Sequence, residues 1–329
     1  MRFPAVKEAE ELQSSGAKKA AARPVARRKG GALARIWQQR WLYLLVAPAI
    51  VYFLVFCYVP MYGLIIAFKD YSPFVGFWES RWVGLAHFRQ FFSSIYFWRL
   101  LRNTVLLNFY GLIFGFPVPI ILALLLNEVG NSTFKRIVQT CSYMPYFVST
   151  VVVAGMIVNF LSPTTGIVNN VLKVLGFEPI PFLTRPEWFR PVYVASGIWQ
   201  GAGWGSIIYL AALAGIDPSL YDAAKVDGAN RLQRMRYVSI PGIMPTIMVL
   251  LLLNLGSMLS VGFEKVFLLY NPRTYETADV FSTYVYRAGL IGQQWGFGTA
   301  VGLFNSVANL ILLALFNYLA RKAGQQSLW

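Results

Sequence analysis

The sequence predicts an all-α integral membrane protein with about six transmembrane helices and one charged helical segment on the cytoplasmic side. Hydrophobic residues make up 57% of the 329 and charged residues only 13%, a balance that leaves too little polar surface to cover a water-soluble core. Six apolar blocks lie at about 41–68, 104–126, 137–160, 191–214, 242–262 and 297–320, each long enough for a hydrocarbon layer that takes about 20 helical residues to cross. Lys and Arg divide unequally between alternate connections, 18 of 29 on one side and 11 on the other, where they are spread over more residues. Positive charge marks the cytoplasmic face, so both termini and residues 215–241 are expected there.

Residues 1–40 hold ten Lys/Arg among Ala, Gly, Ser and Pro, without sustained apolar periodicity. They read either as a disordered basic arm lying near anionic membrane lipid or as a tail whose charges only fix orientation. A signal peptide is not indicated, because the apolar run that follows is too long and lacks a small-residue cleavage site. Nor does the net charge of +15 point to nucleic acid, since the basic residues sit in the tail and in short segments between apolar blocks.

Span one, 41–68, includes Pro48 and Pro60. In residues 69–100, Trp78, Trp82, Phe88, Phe91, Phe92, Tyr96, Phe97 and Trp98 mix with Arg81, Arg89 and Arg99, which suits a membrane–water interface. Prolines inside spans two and three, such as Pro117, Pro119 and Pro145, are tolerated where neighbouring helices satisfy the freed backbone groups. The outer connections 161–190 and 263–296 are longer than the inner link 127–136, carry turn punctuation, and offer a rim to an external partner. A membrane domain of 41–320 and a short cytoplasmic C-terminal tail, 321–329, complete the organisation.

Between spans four and five the chain is polar. Asp217 followed by Pro218 is a helix start, because the Asp side chain accepts from free backbone N–H groups and proline suits the first helical position. Gly228 is the stop, as a residue that tolerates the left-handed conformation, giving a short helix over about 218–227. Asn230 restarts the chain, and a second piece carries Arg231, Arg234 and Arg236 to Pro241, where the missing N–H and the ring clash end or kink it.

The single histidine, His87, falls outside the spans, and Cys57 and Cys141 read as free packing residues, so neither a metal cluster nor a disulfide framework has a basis. No Gly-x-x-x-x-Gly-Lys-Ser/Thr phosphate loop occurs, so ATP hydrolysis by that motif needs another chain. Gly201-Ala-Gly203-Trp-Gly205 lies inside span four and opens no βαβ unit, which favours close helix packing. Asn131-Ser-Thr133 fits a glycosylation acceptor by pattern but falls on the cytoplasmic side.

The spans hold almost no ionisable side chain, which argues against a proton- or sodium-coupled carrier. They hold neutral polar and aromatic groups instead. Tyr143, Tyr146 and Thr150 stand at i, i+3 and i+7 in span three; Gln200 with Trp204, Asn254 with Ser257, and Asn305 with Asn309 are helical neighbours in spans four, five and six. Amides, hydroxyls and flat rings suit a polyhydroxylated solute, and the same groups equally serve as glue between helices.

The segment 217–241 resembles the cytoplasmic coupling loop of ABC importer permeases, whose pattern is Glu-Ala-Ala, three residues, Gly, nine residues, then Ile-x-Leu-Pro. Here it reads Asp222-Ala223-Ala224, Gly228, then Val238-Ser239-Ile240-Pro241, with Asp for Glu, Val for Ile and Ile for Leu at matching spacing. Trp82-Val-Gly-Leu-Ala-His-Phe88 and Leu101-Arg-Asn-Thr104 look like the segment before the second span of sugar-importing permeases. Val59-Pro-Met-Tyr-Gly63 and Pro117-Val-Pro-Ile-Ile121 are similar to phrases in permeases for oligosaccharides and polysaccharide fragments such as aldouronates or alginate.

The resemblance covers about 41–320. It implies a type I ABC importer permease fold in a bacterial cytoplasmic (inner) membrane, a heterodimer with a second permease, two ATPase subunits that carry ATP and Mg, and an extracytoplasmic solute-binding protein. The chain itself is then no enzyme and binds no cofactor. Asp222 is implied as the ion-pairing group toward the ATPase, with Ala223 and Ala224 permitting close docking, Asp227 beside them, Gly228 making the turn and Pro241 marking the start of span five. The implied cargo is a sugar, an oligosaccharide; the outer residues Arg185, Arg190, Lys265, Arg273 and Arg287 would suit an acidic one, and charges on such a rim equally serve other roles. Alternatives are an ABC permease for another small polar solute, a secondary carrier or channel, and a non-transport scaffold. The carrier leaves the matched 222–241 spacing as coincidence.

Overall fold

The structure, a computed structural model, describes residues 39–322. Most of the basic tail expected at 1–40 and most of the C-terminal tail therefore lie outside the described residues. The chain divides into two units, residues 1–62 and 63–329. The described part of the first is a helix, Arg40–Phe53, then a π turn at Leu54–Tyr58 and a helical turn at Val59–Met61, with none of its residues buried.

The described part of the second unit is helical except for an antiparallel ribbon that pairs Lys69 with Trp82 and Asp70 with Arg81. His87 fixes this ribbon through Nε2, 3.0 Å from the Lys69 carbonyl oxygen, so the lone histidine has a local structural partner. Both cysteines are free and exposed; packing within the chain is not their role.

Among the described residues, four helices are long and apolar enough to cross a membrane: Arg40–Phe68, Ile95–Glu128, Arg231–Gly256 and Trp295–Lys322. Span two starts earlier than expected, because Ser94 caps it by accepting from the Tyr96 N–H at 3.1 Å. The block expected as span three is a bent pair, Ser132–Phe147 and Thr150–Phe160, at 98°. Val148 and Ser149 are extended, and the Ser149 side chain caps the next helix through the Val152 N–H at 3.4 Å. Asn131 is likewise a cap, accepting from the Phe134 N–H at 3.0 Å.

Span four is the helix Pro186–Ala214, 29 residues, roughly 44 Å at 1.5 Å per residue. It does not join the four most apolar helices, and its position explains why. It packs against Pro117–Glu128, Ser132–Tyr143, Ile240–Gly256 and Tyr275–Ala278, and the face it buries carries small residues, Gly203 and Ser206 among them, that close helix packing favours.

Three prolines are absorbed by widened turns. The π turns Leu54–Tyr58, Gly111–Gly115 and Met235–Ser239 each end two residues before a proline, at Pro60, Pro117 and Pro241. In each case the carbonyl four residues before the proline, which has no proline N–H to receive, lies in the middle of the wide turn. Widening relieves the ring clash that an α-turn would impose. Of the two outcomes the sequence left open at Pro241, an end or a kink, the helix does not end: span five runs through it from Arg231 to Gly256, with the π turn just before it.

Three apolar clusters form the core. One joins Phe91, Leu100, Phe281, Tyr284, Phe297 and Val301, a second joins Leu107, Ala154, Phe189, Val266 and Val280, and a third joins Ala123, Leu124, Tyr209, Leu213 and Ile243 beside the charged loop. A buried polar knot sits between the first two. Asn103, fully buried, donates to the carbonyl oxygens of Glu276 at 2.9 Å and Asp279 at 3.1 Å, and its Oδ1 accepts from Arg190 at 2.9 Å. The Asp279 carboxylate, also fully buried, accepts from Arg287 Nη1 at 3.1 Å.

Candidate coupling loop and transport clefts

The loop between spans four and five is built from local backbone chemistry. Asp217 Oδ1 accepts from the Ser219 N–H at 2.9 Å, and this backbone bond holds the carboxyl below its usual pKa. The helix runs Pro218–Val226 with Asp227 as its C-cap, one residue shorter than expected. Gly228 has φ +76°. With the Gly228 N–H bonded to the Lys225 carbonyl at 3.0 Å and the Ala229 N–H to the Ala224 carbonyl at 2.9 Å, the end is a Schellman motif. Asn230 then forms a reciprocal capping box with Gln233, at 2.9 and 2.8 Å, which the Asn-x-x-Gln spacing would have revealed.

One face of the short helix is held to the rest of the chain and the other is free. Tyr221 Oη and Ser239 Oγ, the latter fully buried, are 2.9 Å apart. Leu220, Ala223 and Val226 face outward, Val226 at 88% exposure. Asp222 is exposed beside them and accepts from Lys225 at 2.9 Å. The second half of the loop is anchored separately: Arg234 donates to Glu128 at 2.8 Å, with side chains 17% and 12% exposed. Glu128 is the last residue of Pro117–Glu128, so this pair ties the loop to the end of span two. The loop presents a small apolar surface rimmed by charge, rigidly capped at both ends. That suits docking into a groove of another protein.

Of the clefts beside Pro186–Ala214, the central helix, two border its glycines. One, of about 500 Å³, is lined by Tyr146, Phe147, Thr150, Gly197, Gln200 and Gly201 among others. The other, of about 390 Å³, is lined by residues that include Tyr193, Gly197, Gly201, Tyr209 and Asn254. The glycines of Gly201-x-Gly203-x-Gly205 divide their work. A Cβ on Gly203 would collide with the Ser142 carbonyl and come within 2.9 Å of the Tyr143 nitrogen, and one on Gly205 would lie 3.2 Å from Pro119, whereas Gly201 has open space.

The polar residues singled out in the spans do not converge on one site. The bend at Val148–Ser149 removes the common face expected for Tyr143, Tyr146 and Thr150; the last two line one cleft, while the Tyr143 backbone packs on Gly203. Tyr146 stacks on Trp204 with centroids 4.7 Å apart and planes 4° apart. Gln200 Nε2 donates to the Val148 carbonyl at 3.0 Å, serving a backbone group left outside both helices by the bend. Asn254 lines the smaller cleft and bonds back to Leu250 at 2.8 Å, and Ser257 bonds back to Leu253 at 3.2 Å. Asn305 lines another cleft, of about 650 Å³, with a buried Oδ1 that has no partner among the described residues. Asn309 is structural, accepting from the Leu259 N–H at 2.9 Å and donating to Ser260 at 3.0 Å.

Comparison with known proteins follows the same line. Residues 115–325 match the family described as "Binding-protein-dependent transport system inner membrane component". The chain is 48% identical over 297 residues to Protein LplB of Bacillus subtilis (strain 168), covering 90% of this chain and 93% of that protein. It is equally 48% identical over 297 residues to the polygalacturonan/rhamnogalacturonan transport system permease protein YteP of the same organism, covering 90% and 92%. Among solved structures it resembles a chain of a bacterial alginate ABC transporter in complex with an alginate pentasaccharide-bound periplasmic protein, with TM-score 0.84, 46% identity, and 91% and 100% coverage. A second crystal structure, of a bacterial ABC transporter involved in alginate import, gives TM-score 0.82, 48% identity, and 88% and 98% coverage.

Proposed function

The chain belongs to the family of binding-protein-dependent transport system inner membrane components, and from that premise we propose that it forms one half of the translocation path of an ATP-driven importer for an acidic oligosaccharide. The observation that carries the transport reading is the capped helix Pro218–Val226, which leaves Leu220, Ala223 and Val226 exposed beside Asp222 at the matched spacing. A second permease completes the path, two ATPase subunits take the coupling helices and bind ATP and Mg, and a solute-binding protein delivers cargo outside. Both termini and the loop face the cytoplasm, in keeping with the charge asymmetry.

Closure of the ATPase pair on ATP moves the docked loop. The anchors Tyr221–Ser239 and Arg234–Glu128 pass that displacement to spans five and two, shifting the population between inward- and outward-facing states. The Tyr146–Trp204 stack, Thr150 and Asn254 supply the rings and polar groups along the path. The acidic oligosaccharide is suggested by the alginate and polygalacturonan transporters among its relatives. Gentle detergent purification of the tagged chain, with mass spectrometry and an ATPase assay on the eluate, tests this reading. Recovery of a second permease and an active ATPase supports it; recovery of the chain alone, without ATPase activity, contradicts it.

A further inference from the structure

Lys265 lies on the short helix Phe263–Leu269, which packs against Thr150–Phe160 and the central helix. Its ammonium donates to the Tyr193 carbonyl oxygen at 3.1 Å and sits 5.0 Å from the centroid of the Tyr193 ring. That carbonyl also accepts from Ser196 Oγ at 3.1 Å, so it is a shared and incomplete partner. An ammonium carries three donors, and the other two have no acceptor among the described residues. No described carboxylate pairs with it either, in contrast to Arg234 and Arg287. Burial pulls the amine down to about 8, which still leaves it mainly charged at neutral pH, as a cation stripped of part of its water without a counter-ion in exchange.

Its surroundings are those of the path. Tyr193 and Gly197 line the 390 Å³ cleft, and Gly197 also lines the 500 Å³ cleft with Tyr146 and Gln200. The ammonium is 3.5 Å from where a Cβ on Gly197 would stand, so it sits behind a residue that lines both clefts and has no side chain to separate it from them. We propose that Lys265 is the specificity-determining cation of the path, receiving the carboxylate of a uronic-acid unit as the oligosaccharide passes Gly197. This rests on the importer reading above and adds to it the group that distinguishes an acidic sugar from a neutral one.

The test uses the full complex in proteoliposomes with its binding protein outside, oligogalacturonates and oligoalginates of four to five units as anionic probes, and neutral cello- and xylo-oligosaccharides as controls. Lys265→Met is expected to lower import of the anionic probe at least tenfold, and Lys265→Arg to keep it within about threefold of wild type. Gly197→Val, which retains the lysine but screens it, should lower anionic import in the same way. Assembly of the complex, read by co-purification of its subunits, should be unchanged in all three, since the coupling loop is untouched. Wild-type import by Lys265→Met or by Gly197→Val, equal loss in the Met and Arg variants, or a wild-type complex that imports neutral but not anionic sugars would overturn the inference. A wild-type complex that imports neither, while its ATPase still responds to the binding protein, removes the oligosaccharide reading and this inference with it.

Discussion

Replacing Arg234 by Met removes one half of the pair that ties the coupling loop to span two. The nitrogen and oxygen are 2.8 Å apart and the side chains 17% and 12% exposed. At an effective dielectric of about 20 the gross attraction is about 6 kcal/mol, most of which offsets desolvation. Exposed pairs contribute roughly 0.2–1 kcal/mol and breaking a fully buried one costs roughly 3–5, so this nearly buried pair is worth about 2 kcal/mol. That is up to about thirtyfold in the ratio of anchored to released loop. Glu128 stands at a helix C-terminus, where its charge is disfavoured without a cation, so Glu128→Gln should be milder than Arg234→Met. The assay is solute imported per ATP hydrolysed in proteoliposomes. Both single variants are expected to fall at least threefold, and the exchanged pair Glu128→Arg with Arg234→Glu to recover much of the loss. Strictly additive losses in the exchanged pair, or single variants indistinguishable from wild type, would refute the claim that this ion pair transmits the movement.

Gly228→Asp is expected to uncouple ATP hydrolysis from import without lowering membrane abundance: space is open there, but φ is +76° and a side chain costs roughly 1–2 kcal/mol in that conformation. Normal uptake at normal abundance would count against it. Gly203→Ala should lower the thermal midpoint of the purified complex, with a cost of about 1–3 kcal/mol for overpacking against the Ser142 backbone, while Gly201→Ala, with nothing within 4 Å, should leave it unchanged; similar effects from both would contradict the packing roles. Because the Ser219 N–H lowers the Asp217 pKa, the ionised cap contributes stability above the unfolded value of about 3.9, and this is lost as pH falls through the lower folded value. Protection of the Leu220 and Tyr221 amides relative to their intrinsic exchange rates should therefore fall below about pH 4 in wild type and show no such step in Asp217→Asn.

The local structure of residues 217–241 was legible because its signals are local. Asp217, Pro218, Gly228 and Asn230 each act on backbone groups within a few residues, so caps, turn and helix can be read without knowing the fold. The anchors were not legible, since Arg234 meets Glu128 across 106 positions and Gln200 meets Val148 across 52, and no local pattern announces such partners. The same limit separates the three glycines of span four: composition points to close packing, but only the neighbouring chain decides that Gly203 is crowded and Gly201 open. Pro145 reads from the sequence as a proline tolerated inside span three, and no break is expected there. The bend itself fell at Val148–Ser149, where an extended dipeptide and a serine cap replace helical turns, and it dispersed residues that helical periodicity had placed on one face. Leu101-Arg-Asn-Thr104 carried a resemblance whose physical content became clear only when Asn103 was found at the centre of the buried knot.

The most direct test is uptake of a labelled oligouronate into proteoliposomes holding this chain, its second permease and the ATPase pair, with the binding protein and ATP supplied or withheld in turn. Accumulation against a gradient that needs all of them, and that collapses when the short helix is altered at Asp222 and Ala223, is the predicted result. Accumulation that persists without ATP or without the ATPase subunits would contradict the account and identify the chain as a carrier.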